Sequence, residues 1–291
     1  MKLRNYVLYV GMAIVLISLI GNYLFFSVKQ LKQPIMLKHY YDIPFQNGFM
    51  LELHYLVNRN EDVDIQMATV PGTEIILSPT FESHAETYRH YKLKTMYVRL
   101  EDYMLGNIPA ESLRFNEITA HLSNGESVAM DIGEISFFKP TEAALQFKAS
   151  GGSSDNSGFY IVEAEKNIEL SGINIPYFED LKSALSLRLN QDQVELKKSP
   201  HRPGNSLFSG GQPLRPDLFP ITLQKGESLS INFQFSFKEN DPIQRNFYQI
   251  NGKLEEKKQN GPAFTTPFNL TYRPYLNEKD IQAIVKGANN D

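Results

Sequence analysis

The chain has neither cysteine nor tryptophan among its 291 residues. The first absence excludes a disulfide framework, a thiolate zinc centre and a lipid-bearing cysteine at the end of a leader. The second removes the ring that sugar-binding sandwiches use most readily as a flat platform. An excess of basic charge is also missing. Two of the 29 basic residues, Lys2 and Arg4, precede the apolar N-terminal run, which leaves 27 against 33 acidic residues, a net of −6 for the rest. That balance argues against nucleic acid as a partner and against docking on anionic lipid head groups. No G-x-S-x-G nucleophile elbow occurs. The glycines at 151 and 152 are not followed by the lysine and helix that a phosphate loop needs.

What the chain does have is one long uncharged run at residues 6–28, YVLYVGMAIVLISLIGNYLFFSV. A bilayer core takes about 20 apolar residues as a helix, so this segment is long enough to span. A cleaved leader has an apolar core of roughly 7–15 residues and a small-residue cleavage site, and this run exits through Phe25, Phe26, Ser27 and Lys29. An uncleaved membrane anchor is therefore expected. Lys2 and Arg4 on one flank and Lys29, Lys32 and Lys38 on the other nearly balance, so basic residues alone do not set the orientation. The leader-like N-terminal tail and the cysteine-free body favour a cytoplasmic N-terminus with the body outside.

Beyond the anchor the pattern has a period of two. Residues 49–57, FMLELHYLV, place Phe49, Leu51, Leu53, Tyr55 and Val57 on one face, and residues 229–237, LSINFQFSF, do the same with Leu229, Ile231, Phe233, Phe235 and Phe237. Residues 63–70, 113–122, 127–132, 135–138, 143–149, 159–164, 167–171, 185–189, 194–197, 246–252 and 264–272 read as further strands. Asn-Gly at 124–125 marks a hairpin. His121 to Val128 and Thr222 to Leu229 share a strand, Gly-Glu-Ser turn, strand pattern. Helical signals are few. One turn is expected within 177–184, and a short helix over 277–286 is capped by Asn277, striped by Ile281, Ile284 and Val285, and ended by Gly287.

The expected fold class is mainly β, an N-terminal transmembrane helix followed by two antiparallel β-sandwich-like domains. The parts are a cytoplasmic tail (1–5), the anchor (6–28), a first β domain (37–140), a second (141–275) and the short helix (277–286). Residues 199–220 hold five prolines and three glycines, a density no regular ladder accepts. They form a long loop whose apolar side chains pack on the protein itself or on a partner.

Candidate chemistry is sparse. Asn58, Asn60, Asp62 and Asp64 alternate like the first half of a calcium loop, but Val63 stands where the glycine belongs and Thr69 where the glutamate belongs. His54, His84, His90 and His121 are scattered, and zinc needs three or four converging ligands. Adjacent carboxylates such as Glu179-Asp180 and Glu255-Glu256 read as solvent charges. No catalytic residue, metal or cofactor is expected. The reading is a membrane-anchored extracytoplasmic module that binds another envelope or membrane protein without catalysis, with Phe208, Phe219 and Arg215 as contacts. The alternatives are a cell-wall or polysaccharide binder using Tyr88, Tyr91, Tyr97 and Tyr103, and an envelope hydrolase whose residues meet only in three dimensions.

Overall fold

A computed structural model describes residues 2–80, 85–101, 104, 113–139, 143, 145–191, 211–257 and 265–288. The strand expected at 194–197, His84, Tyr103, Phe208 and the start of the 199–220 loop lie outside the described residues.

Helix α1 spans Lys2–Lys29, and its stretch Tyr9–Lys29 is long and apolar enough to cross a membrane. None of that stretch is buried by the rest of the chain, which is the surface a lipid phase would cover.

The body is mostly strand. Its first half holds β1 (Ile35–Met36), β2 (His39–Pro44), β3 (Met50–Asn58), β4 (Ile65–Thr69), β5 (Ile76–Leu77), β6 (Glu86–Thr87), β7 (Tyr91–Arg99), β8 (Leu113–Leu122) and β9 (Ser127–Phe138). Its second half holds β10 (Leu145–Gly152), β11 (Ser157–Ala164), β12 (Ile168–Asn174), the turn of helix α2 (Phe178–Leu181), β13 (Leu185–Asn190), β14 (Gln212–Pro213), β15 (Ile221–Leu223), β16 (Ser228–Phe235), β17 (Phe247–Glu256) and β18 (Thr265–Tyr272). Helix α3, Glu278–Ala288, closes the described chain and runs through Gly287 instead of stopping there.

These strands form three sheets. A four-stranded sheet has the order β1-β3-β7-β6 and a five-stranded one β10-β11-β16-β13-β14. The third has nine strands, β15-β12-β17-β2-β9-β8-β4-β5, with β18 on the other edge of β17. One hydrophobic cluster draws on β3 and β7 and on β2, β8 and β9 of the long sheet. A second draws on β11, β13 and β16 and on β12, β17 and β18. The long sheet therefore backs both cores. The alternation read from sequence explains the packing: Leu51, Leu53 and Tyr55 are buried on β3, and Leu229, Ile231, Phe233 and Phe235 on β16.

Strand β2 joins the two halves. It runs parallel to β9 on one side, His39 opposite Gly133, and parallel to β17 on the other, His39 opposite Phe247. All the other pairings between these strands are antiparallel. Gly133 makes the close approach possible. Its φ is +91°, and a Cβ there would lie 2.5 Å from the His39 carbonyl oxygen. Strand β9 continues through this glycine instead of breaking at it.

Helix α3 returns to the first cluster, where Ile281 and Val285 are buried. The amides of Lys279 and Asp280 donate to Asn277 Oδ1, and Asp280 Oδ2 accepts from the Asn277 amide, a reciprocal cap. The two Gly-Glu-Ser turns have glycines at similar φ, +87° at Gly125 and +86° at Gly226, but different surroundings. The first links β8 to β9 within one sheet; the second carries the chain from the long sheet to the five-stranded one.

Candidate functional site at the joint between helix and body

The end of α1 is fastened to the body with no flexible spacer. Two residues after Lys29, Leu31 is already buried in the first cluster. Asn58, the last residue of β3 and 1% exposed, holds it on both sides. The Leu31 amide donates to Asn58 Oδ1 at 2.8 Å, and Asn58 Nδ2 donates to the Leu31 carbonyl at 2.9 Å. A carboxamide carries one acceptor and one donor edge, so it pairs with a backbone residue much as a neighbouring strand would.

Tyr91, at the start of β7, donates its hydroxyl to the Lys29 carbonyl at 2.8 Å. That carbonyl belongs to the last turn of α1, where no intrahelical partner exists. The His90 ring meets Phe25 edge-on at 6.2 Å, and Lys29 Nζ lies 5.7 Å from the centre of the Phe25 ring. Substituting Asn58 with Ala should therefore leave both polar groups of Leu31 buried and unpaired. A loss of about 2–4 kcal/mol is expected from two such groups, read as a lowered unfolding midpoint in detergent together with new proteolytic cleavage after Lys29.

A groove of about 640 Å³ opens beside the joint, between the segment carrying Leu31 and Ile35 and the face of α3 carrying Ile284. The alternating oxygen series read from sequence lies around the same turn, and it is already occupied by a cation. Lys94 of β7, with its side chain 9% exposed, donates to Asp64 Oδ1 at 2.5 Å and to the Val63 carbonyl at 3.1 Å, with Asp62 at 3.7 Å. Tyr55 donates to Asp64 at 3.3 Å; burial first, then the Asp64 charge, pushes its phenol up. A lysine thus sits where the carboxylates would have gathered a metal, and Asn58 of the series is spent on Leu31.

Among the described residues no group of three metal-ligating side chains forms. His90 is at the joint. His121 is half-buried and bonds Ser127 at 2.8 Å. His54 lies at the β2 seam together with a residue that sequence reading passed over, His39. The His54 amide donates to His39 Nε2 at 2.9 Å, His54 Nδ1 meets Thr95 Oγ1 at 2.9 Å, and the Phe247 ring stacks 4.0 Å from His54 and 5.3 Å from His39. Burial holds His39 well below the usual imidazole value, with His54 adding to it. Burial, then Arg273, lowers His54 to about 3.

Of the expected contacts, Arg215 is exposed and pairs with Asp217 at 3.5 Å, while Phe219 is half-buried against the second cluster. Among the tyrosines considered as a sugar platform, Tyr88 donates its hydroxyl to the Leu276 carbonyl and Tyr91 is 2% exposed. Glu179 pairs with Lys182. Glu256 turns inward, 3.8 Å from Lys166. The joint itself was missed because its signal is weak: one asparagine at a strand end, read as a turn residue.

No protein-family model matches the chain, and no curated protein does. Among solved structures, the chain is similar to the fibronectin(III)-like modules of CbhA from Clostridium thermocellum. Identity is 7% and the TM-score 0.21, over 82% of this chain and 92% of that one. It is also similar to the adhesin InvE of Yersinia pseudotuberculosis, at 7% identity and a TM-score of 0.20, over 82% of this chain and 58% of that one.

Proposed function

We propose that the protein is a membrane-anchored module with its body outside the cytoplasm, which holds a protein-binding surface at a fixed height for another envelope or membrane protein and performs no catalysis. The observation that carries this reading is the spacer-free joint. A tether for a freely diffusing domain needs a flexible linker. Here Asn58, Tyr91 and His90 instead hold the end of the helix against the body. Such a joint transmits orientation, which matters to a protein that must meet a second membrane-bound one.

The surface proposed for the contact is the 199–220 loop, with Phe208, Arg215 and the exposed part of Phe219 as anchors. Strand addition is disfavoured at the two long open edges. β18 carries Pro267, and β10 carries Lys148 beside a register shift, both of which blunt edge pairing. Engagement of the Tyr88 and Tyr91 hydroxyls by backbone carbonyls favours a protein partner over a glycan.

Cross-linking of intact cells with a membrane-impermeant lysine reagent tests the reading. Links from exposed body lysines to one envelope protein are expected. Insertion of ten Gly/Ser residues after Lys29 should reduce them several-fold while the protein stays in the membrane fraction. If the body is labelled only after lysis, the orientation is reversed and the proposal fails. If the insertion leaves the links unchanged, the rigid joint has no part in the binding.

A further inference from the structure

We propose that the pocket between the turn at 238–245 and the start of α3 binds a neutral saccharide, with the Tyr275 ring as its stacking platform. The site goes beyond the protein contact proposed above and does not depend on it.

The backbone around Tyr275 is pinned on both sides. Tyr272, the last residue of β18, is buried and donates its hydroxyl to the Gln244 carbonyl at 2.8 Å. Arg273 pairs with Glu52 at 3.0 Å, Pro274 fixes its own φ, and Leu276 is buried in the first cluster. The Leu276 carbonyl accepts from Tyr88, and Asn277 caps α3. Between these anchors Tyr275 is 94% exposed, and among the described residues its ring makes no ring contact or hydrogen bond. A rigid support thus holds an aromatic face in water beside a pocket of about 350 Å³, a volume within the range of small-ligand sites. Tyr88 and Tyr91 cannot serve in this way, because both hydroxyls are engaged and Tyr91 is buried.

The polar lining selects the class of ligand. The pocket carries two carboxylates, Glu239 and Asp280, and two cations, Arg245 and Lys279. The charged residues that adjoin the lining in sequence balance as well, Lys238 and Arg273 against Asp241 and Glu278. No net charge is left to draw in an anion or a cation. Arg245 Nε and Asp280 pair at 3.1 Å, which leaves the guanidinium further N–H groups to donate. Asn277 Nδ2 is a second donor, since the cap uses only its Oδ1. The carboxamides of Asn240 and Gln244 both give and accept. An apolar ligand would leave these groups without partners. Sugar hydroxyls also give and accept, and the C–H face of a pyranose lies flat on an aromatic ring. Balanced polar groups beside one exposed ring therefore match a neutral saccharide.

The full chain, purified in a detergent that carries no sugar, is applied to an array of neutral and uronic-acid oligosaccharides. Neutral oligosaccharides of one class should bind. Tyr275→Ala should weaken that binding about tenfold and Gln244→Ala several-fold. Tyr275→Phe should keep it, because the ring stacks and not the hydroxyl. An unchanged unfolding midpoint in both Tyr275 variants separates lost binding from lost fold. Failure of every neutral oligosaccharide to bind, a preference for the uronic acids, or binding that survives Tyr275→Ala overturns the proposal. Offering the bound sugar as a soluble chain and as the head group of a neutral glycolipid in vesicles then identifies its source. Cross-links to an envelope protein should persist in Tyr275→Ala, so failure of this site and failure of the proposed protein contact are read separately.

Discussion

The unfolding midpoint in urea is expected to fall steeply as the pH is lowered from 7 to 5, by an amount equivalent to about 4 kcal/mol. His39 and His54 carry the effect. Both are held neutral in the folded chain, well below the usual imidazole value for His39 and at about 3 for His54, with burial the leading cause in each. The unfolded chain exposes both rings, so below about 6.5 it binds more protons than the folded chain. The stabilisation is therefore complete above that value and is lost as the pH falls toward the folded values. Each withheld proton costs about 1.4 kcal/mol per pH unit, and two imidazoles over 1.5 units give the figure above.

The surroundings offer little to offset the loss. The groups packed near the pair are Tyr41, Thr95, Phe247, Arg273 and the Glu52 carboxylate, which Arg273 already neutralises at 3.0 Å. Asp42 shifts the other way, its carboxyl pushed up by burial with Lys253 opposing. Its protonation in the folded chain offsets part of the histidine loss as the pH falls. His54→Gln should reduce the pH slope by about one proton. A midpoint that stays flat between pH 7 and 5, or a slope unchanged in that variant, would show that the seam is not what acid attacks.

How far the chain could be read in advance depends on the range of the interaction. Strand β8 was read at its observed bounds, and the buried apolar positions of β3 and β16 were assigned as found, because alternation is local, although on β16 the polar Ser228, Ser230 and Asn232 are buried too. Strand β2 was not read at all. Its sequence, HYYDIP, mixes buried His39, Tyr41, Asp42 and Ile43 with half-buried Tyr40 and Pro44, a pattern that comes from packing Tyr41 and Ile43 on the first cluster and Tyr40 on the second, so that neither face is wet. Its partner His39 opposite Phe247 is separated by most of the chain. The candidate site was obscured for a similar reason. Asn58, Asp62 and Asp64 are polar residues in a turn-like string, and what turns them from solvent groups into a clamp and a cation cage is Leu31 and Lys94, supplied from other elements. A lysine inside the alternating strand Tyr91–Arg99 was the one signal that could have pointed to the cage.

Gly133→Ala is expected to cost about 3–5 kcal/mol and to weaken both halves of the body together. Two effects combine. Positive φ costs an L-residue about 1–2 kcal/mol. The remainder comes from contact: the new Cβ would lie 2.5 Å from the His39 oxygen and 2.8 Å from its nitrogen. These are backbone atoms of the neighbouring strand, which cannot rotate away, so β2 must move off β9 or β9 must deform around residue 133. Gly125 separates the two effects. Its φ is +87° and nothing lies within 4 Å of its missing Cβ, so Gly125→Ala should show only the conformational cost. The difference between the variants then measures the close approach at the seam. Because β2 also pairs with β17, displacing it should expose amides of Phe247 and Gln249 in the second half, across the strand from the substitution. Hydrogen exchange followed by mass spectrometry reads this directly. Faster exchange in β17 as well as β9 means that β2 couples the two cores into one unit. Loss confined to β9, or equal costs for the two glycines, would mean that the shared sheet joins them without coupling their stability.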